Sequence, residues 1–142
     1  MLSDLGFKLL TSIHRAVFDA TKGRLTGKLD GMPIVKLGTT GRKTGKQRQT
    51  MLVAPLHADD RLVLVASKGG AAQHPSWYLN LHENPQVTIT MQGRTLAMVA
   101  RTATASEKAE LWPAIVAAYK GYAGYQEKTD RDIPVVILEP PG

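Results

Sequence analysis

Between residues 2 and 22 the apolar positions Leu2, Leu5, Leu9, Leu10, Ile13, Val17 and Ala20 recur at steps of three and four, interspersed with Lys8, His14, Arg15 and Lys22. That spacing predicts an amphipathic helix over residues 1–24. Such a helix either caps the core or packs on a partner subunit, or it lies on an anionic membrane face. After the glycine-containing stretch 23–31 the period changes to short apolar runs separated by turn residues. Residues 33–37 read as a strand, 38–47 as a glycine-rich basic loop and 50–57 as a second strand. Asp59 and Asp60 mark a hairpin from which 61–66 (RLVLVA) return as a third strand. Residues 75–81 form a short predicted helix, with proline in its first turn and Pro85 beyond its end. Residues 86–91 alternate as a strand, turn at Gly93, and pair back over 95–101.

Thr104 followed by Glu107 has the form of a capping box, and Ala109, Leu111, Trp112, Ile115, Val116 and Tyr119 continue it as a helix ending near Gly121. A polar segment over 124–132 leads to a last strand at 133–138. Five or six strands in mostly hairpin order, with helices before and between them, predict an antiparallel α+β domain on a small barrel, one domain over 1–142. No window approaches the roughly 18 consecutive apolar residues of a membrane span. The N-terminal stretch lacks the features of a signal peptide, so a cytoplasmic, unprocessed protein is expected.

Charge sharpens this picture. Residues 1–58 hold ten Lys and Arg against Asp4, Asp19 and Asp30, a balance of 10 − 3 = +7, while 59–142 hold eight against nine, a balance of −1. The net excess of +6 thus originates entirely in the first part and predicts a polyanionic partner: nucleic acid, a membrane face or an anionic small molecule. The chain has no cysteine, which excludes thiolate nucleophiles, Cys-ligated zinc, iron–sulfur clusters and disulfides. His14, His57, His74 and His82 lack metal-ligand spacing, no GxSxG surrounds any serine, and the acids are dispersed. Side-chain chemistry alone therefore points to a cofactor or to plain binding, with no metal.

Three features carry the candidate chemistry. The first is Gly38-Thr39-Thr40-Gly41-Arg42-Lys43-Thr44-Gly45-Lys46-Gln47-Arg48, within a stretch from Gly31 to Ala58 that has five cations and no acid. Glycines and threonines bring N–H and hydroxyl donors close to whatever the cations attract, an oxyanion cradle in composition, against the alternative of a solvated hairpin tip. The second is Ala66-Ser67-Lys68-Gly69-Gly70, a strand end whose glycine pair allows close backbone approach beside a lysine. The third is Tyr119, Tyr122 and Tyr125, spaced three apart, which either stack on a flat ligand as part of a mobile lid or merely plug the barrel.

The strings TTGRKTGKQR, ASKGGAAQHPSWYLNLHENPQV, ARTATASEKAELWP and YxxYxxYQEKTDRDIPV together resemble the deazaflavin (F420)-dependent nitroreductase and quinone reductase family, over about three-quarters of the chain. The resemblance implies a split β-barrel similar to that of flavin-binding pyridoxamine-phosphate oxidase relatives. It also implies reduced coenzyme F420 as hydride donor to a quinone, enone or nitroaromatic acceptor, with FMN the less favoured cofactor. By the same resemblance Arg42, Lys43 and Arg48 lie along the phosphate and glutamate tail, while Ala66, Ser67, Lys68, Gly69 and Gly70, with Pro75 and Trp77, border the phosphate and ring. Tyr122 or Ser67 supplies the proton. Tyr119, Tyr122, Tyr125 and Val53 line the acceptor pocket. Where some nitroreductase members carry a tyrosine, residues 50–55 (TMLVAP) carry no aromatic, which favours quinone or enone over bulky nitroimidazole acceptors.

Rival readings are a non-catalytic F420 or flavin carrier and a nucleic-acid binder. The second is disfavoured because residues 33–66 hold no aromatic to stack a base. Expected partners are a small-molecule acceptor and a second copy in a homodimer. Peripheral contact with the inner face of the plasma membrane through the first helix is a further expectation.

Overall fold

The computed structural model describes residues 28–29, 31–58 and 60–142; the predicted N-terminal helix lies outside them. Eight strands form one sheet: β1 (Lys28–Leu29), β2 (Met32–Thr40), β3 (Gln47–Val53), β4 (Leu56–Ala58), β5 (Arg61–Val65), β6 (Gln86–Met91), β7 (Arg94–Thr102) and β8 (Val135–Glu139). Three α-helices accompany them among the described residues: α1 (Ser76–Glu83), α2 (Ala105–Ala118) and α3 (Gly121–Lys128). Every strand pairing is antiparallel.

The order along the sheet is β1-β2-β6-β7-β8-β5-β4, with β3 also paired to β2. β3 and β4 thus hang on the two flanks of the sheet, and only Ala54 and Pro55 separate them in the chain. A single interrupted strand therefore joins one side to the other, and the sheet curls into a barrel. The predicted strand over 50–57 is split at this joint. Pro55 has no N–H to give a ladder, and the Ala54 N–H bonds the Pro33 carbonyl at 3.0 Å, after which the partner changes from β2 to β5.

Side-chain alternation sorts the core into two layers. Leu62, Leu64, Val136 and Leu138 point into the barrel with Val35, Leu37, Val87, Ile89, Met98 and Ala100, and α1 joins this layer through Tyr78 and Leu81. Val63, Val65, Val135 and Ile137 point the other way, against Ile115 of α2 and Tyr122 of α3. Burial on both faces explains why β5 and β8 read as unbroken apolar runs while β6 alternates. Gly38 sits mid-strand opposite Thr88 of β6, whose hydroxyl occupies the space a Cβ would need.

The capping box forms as expected: the Thr104 hydroxyl accepts from the Glu107 N–H at 3.1 Å, and the Glu107 carboxylate accepts from the Thr104 N–H at 2.9 Å. The helix ends at Ala118 rather than near Gly121, and part of the segment expected to be irregular becomes α3. Lys108 ties this corner together: its ammonium donates to Gln126, Asp132 and the Ile133 carbonyl at 2.9, 2.5 and 2.7 Å and lies 5.0 Å from the Trp112 ring centre.

Candidate functional site

The basic segment folds into a hairpin tighter than its composition suggests. Register runs to Thr40↔Gln47, so the loop is only residues 41–46, closed by Gly41 N–H to the Lys46 carbonyl (2.7 Å) and Gly45 N–H to the Gly41 carbonyl (2.8 Å). Beside it opens a cleft of about 520 Å³, bordered by Arg42, Lys43, Arg48, Thr50, Trp77 and Asn80 among others. Among the described residues no carboxylate lines it. Lys43 and Arg48 are exposed, whereas Arg42 is half-buried and held.

What holds Arg42 is Asn80, a residue the sequence did not single out. Its Oδ1 accepts from both the Arg42 backbone N–H (3.1 Å) and the guanidinium Nη1 (2.9 Å), and its Nδ2 donates to the Thr39 hydroxyl at 3.4 Å. Asn80 is 5% exposed, so its amide is committed to these partners. The signal was present in the helical spacing: Ser76, Trp77 and Asn80 lie four and three apart on predicted α1 and face the cleft together.

The second group lies at the end of β5. Ala66 and Ser67 are buried, and the next three residues, Lys68, Gly69 and Gly70, take φ of 46°, 63° and 81°. Ser67 itself is right-handed (φ −77°, ψ −37°). A right-handed residue followed by a left-handed one turns successive N–H groups toward a common point, an anion-binding concavity. The left-handed lysine costs roughly 1–2 kcal/mol against its ordinary backbone. Gly70 admits no side chain: a Cβ there would stand 2.7 Å from the Tyr125 carbonyl of α3.

Arg131, also missed by the sequence reading, grips this turn. It donates to the carbonyls of Ser67 (Nη2, 2.8 Å), Ala66 (Nη1, 3.2 Å) and Ala71 (Nε, 2.8 Å). Its Nη1 also lies 3.0 Å from His74 Nδ1, which must accept because a guanidinium only donates. Burial, then the charges of Arg131 and His82, lowers the His74 pKa below its ordinary value, keeping the ring neutral. Buried Pro75 caps α1 and connects this turn to the cleft, since Trp77 lines the cleft while Tyr78 packs 5.0 Å from the His74 ring.

The structure therefore brings Arg42, Lys43, Arg48 and Trp77 together in one cleft and puts Ala66 through Gly70 in the turn that follows β5. It does not bring the tyrosines or Val53 to the cleft. Val53 packs against Ile34 and Met51 and also against the outer layer. Tyr122 is 5% exposed in that layer, edge-on to Tyr119 and Tyr125 at 5.4 and 6.1 Å. Burial, reinforced by those two neighbours, pushes its phenol well above the usual range. Among the described residues no group of metal-ligating side chains occurs, and no helix is long and apolar enough to cross a membrane.

An antiparallel barrel closed by one interrupted strand, with a cationic cleft on one side, defines a split-barrel protein. Comparison with known proteins gives the family. A family model described as F420H(2)-dependent quinone reductase matches residues 10–140. An F420H(2)-dependent quinone reductase of Mycobacterium tuberculosis (strain ATCC 25618 / H37Rv) is 36% identical over 138 residues, 94% of this chain and 91% of that protein. A solved structure of an F420-H2 dependent reductase (FDR-A) superposes with a TM-score of 0.68 at 44% identity, over 75% of this chain and 94% of the other. Another, described as a domain-swapped dimer, gives 0.69 at 40% identity, over 89% and 99%. The chain belongs to the F420H(2)-dependent quinone reductase family, an oxidoreductase class whose electron donor is reduced coenzyme F420.

Proposed function

We propose that this chain reduces quinones at the expense of reduced F420, holding the cofactor's phosphate and glutamate tail along Arg42, Lys43 and Arg48. The observation that carries the reading is the chemistry of the cleft: among the described residues it has three cations, several N–H and hydroxyl donors, one indole and no acid. When bound, F420 supplies the hydride that reduces the acceptor. The protein's part is to place and enclose it. Asn80 presets Arg42, so the loop meets the anion without first having to order that side chain. Lys68 and the Ser67–Gly69 amides are the proposed contacts nearer the ring, with Pro75 and Trp77 as their neighbours.

Tyr122 and Ser67 are the proposed proton sources. The raised phenol stays protonated throughout the physiological range and so keeps a proton to give, but reaching it requires α3 to move outward. Ser67, buried as well, stands at the strand end, next to Lys68. Enones and nitroaromatics are proposed as secondary acceptors. A homodimer is proposed as well, supported by the 40% identical relative described as a domain-swapped dimer.

Purified protein mixed with reduced F420 and menadione should restore the absorbance of oxidised deazaflavin faster than the protein-free control. Neutralising Arg42 and Lys43 should weaken F420 binding far more than FMN binding, because FMN lacks the glutamate tail. Equal losses for both would count against the tail assignment. Full turnover in both Tyr122→Phe and Ser67→Ala would remove these two groups as proton donors.

A further inference from the structure

Three successive positive-φ residues, one of them a lysine, persist only where their surroundings over-determine them. The turn's own backbone supplies two hydrogen bonds, Gly70 N–H to the Ser67 carbonyl (2.9 Å) and Ala71 N–H to the Lys68 carbonyl (3.1 Å). The remaining restraint comes from far along the chain. Arg131, ahead of β8, places one planar guanidinium across the turn and bonds carbonyls at both of its ends, Ala66 and Ser67 before it and Ala71 after it. A rigid fork of donors suits this task, whereas a lysine offers a single point of attachment.

Charge makes the arrangement unusual. Arg131 is half-buried, yet its hydrogen bonds go only to neutral carbonyls and a neutral imidazole, and it makes no ion pair among the described residues. A partly buried cation without a carboxylate partner among the described residues, close to Lys68 in the same turn, raises the positive potential there. A residue serving packing alone would gain more from an acidic partner.

We propose that Arg131 is a positioning residue for the cofactor: it locks the 66–71 turn so that the Ser67–Gly69 amides and the Lys68 ammonium converge on the anionic part of bound F420. The inference rests on the F420 reading above.

Its test is titration of oxidised F420, followed by deazaflavin fluorescence, with wild type, Arg131→Gln, Arg131→Lys and Lys108→Met. The last variant removes a comparable set of structural hydrogen bonds elsewhere. Arg131→Gln should bind F420 at least about tenfold more weakly and raise KM for reduced F420 more than it lowers kcat. Arg131→Lys should recover part of the affinity. Lys108→Met should lower the melting temperature with F420 affinity unchanged. Arg131→Gln that melts earlier but binds like wild type overturns the inference and leaves the functional reading standing. Should the glutamine variant fail to fold, wild-type affinity in the lysine variant overturns it equally. Wild-type protein that binds no F420 overturns both.

Discussion

One side chain sets the direction of a cation in the cleft, and it is not itself a cation. Asn80 gives Arg42 a fixed direction by accepting from both its backbone and its guanidinium. Asn80→Ala should leave the loop in place but free Arg42, weakening F420 binding by about tenfold, or about 1.4 kcal/mol, the cost of ordering that side chain on binding. Asn80→Asp separates position from charge: the carboxylate still anchors Arg42 but cancels it, so affinity should fall while the melting temperature holds. Isothermal titration and thermal melts distinguish the two outcomes. At the turn, Gly70→Ala meets both a positive φ of 81° and the Tyr125 carbonyl. It should destabilise the fold by about 1–3 kcal/mol, read in urea melts.

Among the elements, α2 and the His74 turn carry the pH dependence. Hydrogen bonding from Arg101, then from the Thr104 N–H, holds the half-buried Glu107 carboxyl down at about 2, below its ordinary 4.5. A carboxyl depressed in the native state takes up its proton in the unfolded state first. Its stabilisation is therefore present above pH 4.5 and drains away as pH falls toward 2. Thr104→Ala, which removes the other half of the cap, should cost about 1 kcal/mol and make that acid limb shallower in melts from pH 5 to 2.5, each pH being set at about half-unit steps. His74 behaves with the same sign at higher pH. Its native-state pKa is lowered, so stability begins to fall as pH drops below 6.5, where the unfolded chain protonates first and the acceptor for Arg131 is then lost.

The elements were also the most legible part of the sequence. β6 and the capped start of α2 stand where alternation and the Thr104–Glu107 spacing put them, because local pattern and tertiary role agree there. The joint at Ala54–Pro55 was read as continuous strand, since its break depends on a hydrogen bond to Pro33 that no local pattern encodes. Arg42, Lys43 and Arg48 were visible as a charge cluster. Arg131 was not, because an arginine flanked by Asp130 and Asp132 looks solvated until the chain folds it across residues some sixty positions earlier. The rings of Tyr119, Tyr122 and Tyr125 do cluster, but Tyr119 stands extended in the break between α2 and α3 and the cluster packs in the outer core.

In the whole molecule, β5 and β8 belong to both core layers at once, so neither layer can loosen without exposing the other. Trp77 reports on the barrel interior and Trp112 on the helix-covered layer. Urea unfolding followed through Trp77→Phe and through Trp112→Phe should therefore show coincident transitions; separated midpoints would mean that the two layers are independent.

The same strand placement sets the order of assembly. β2–β3, β4–β5 and β6–β7 are hairpins, joined by short local loops. β8 alone bridges β7 to β5, across some seventy residues on the β5 side. Until Val135–Glu139 have been synthesised, the nascent chain is two ribbons joined at Ala54–Pro55, with the edges of β5 and β7 bare, a state in which a neighbouring copy's last strand would fit as well as its own.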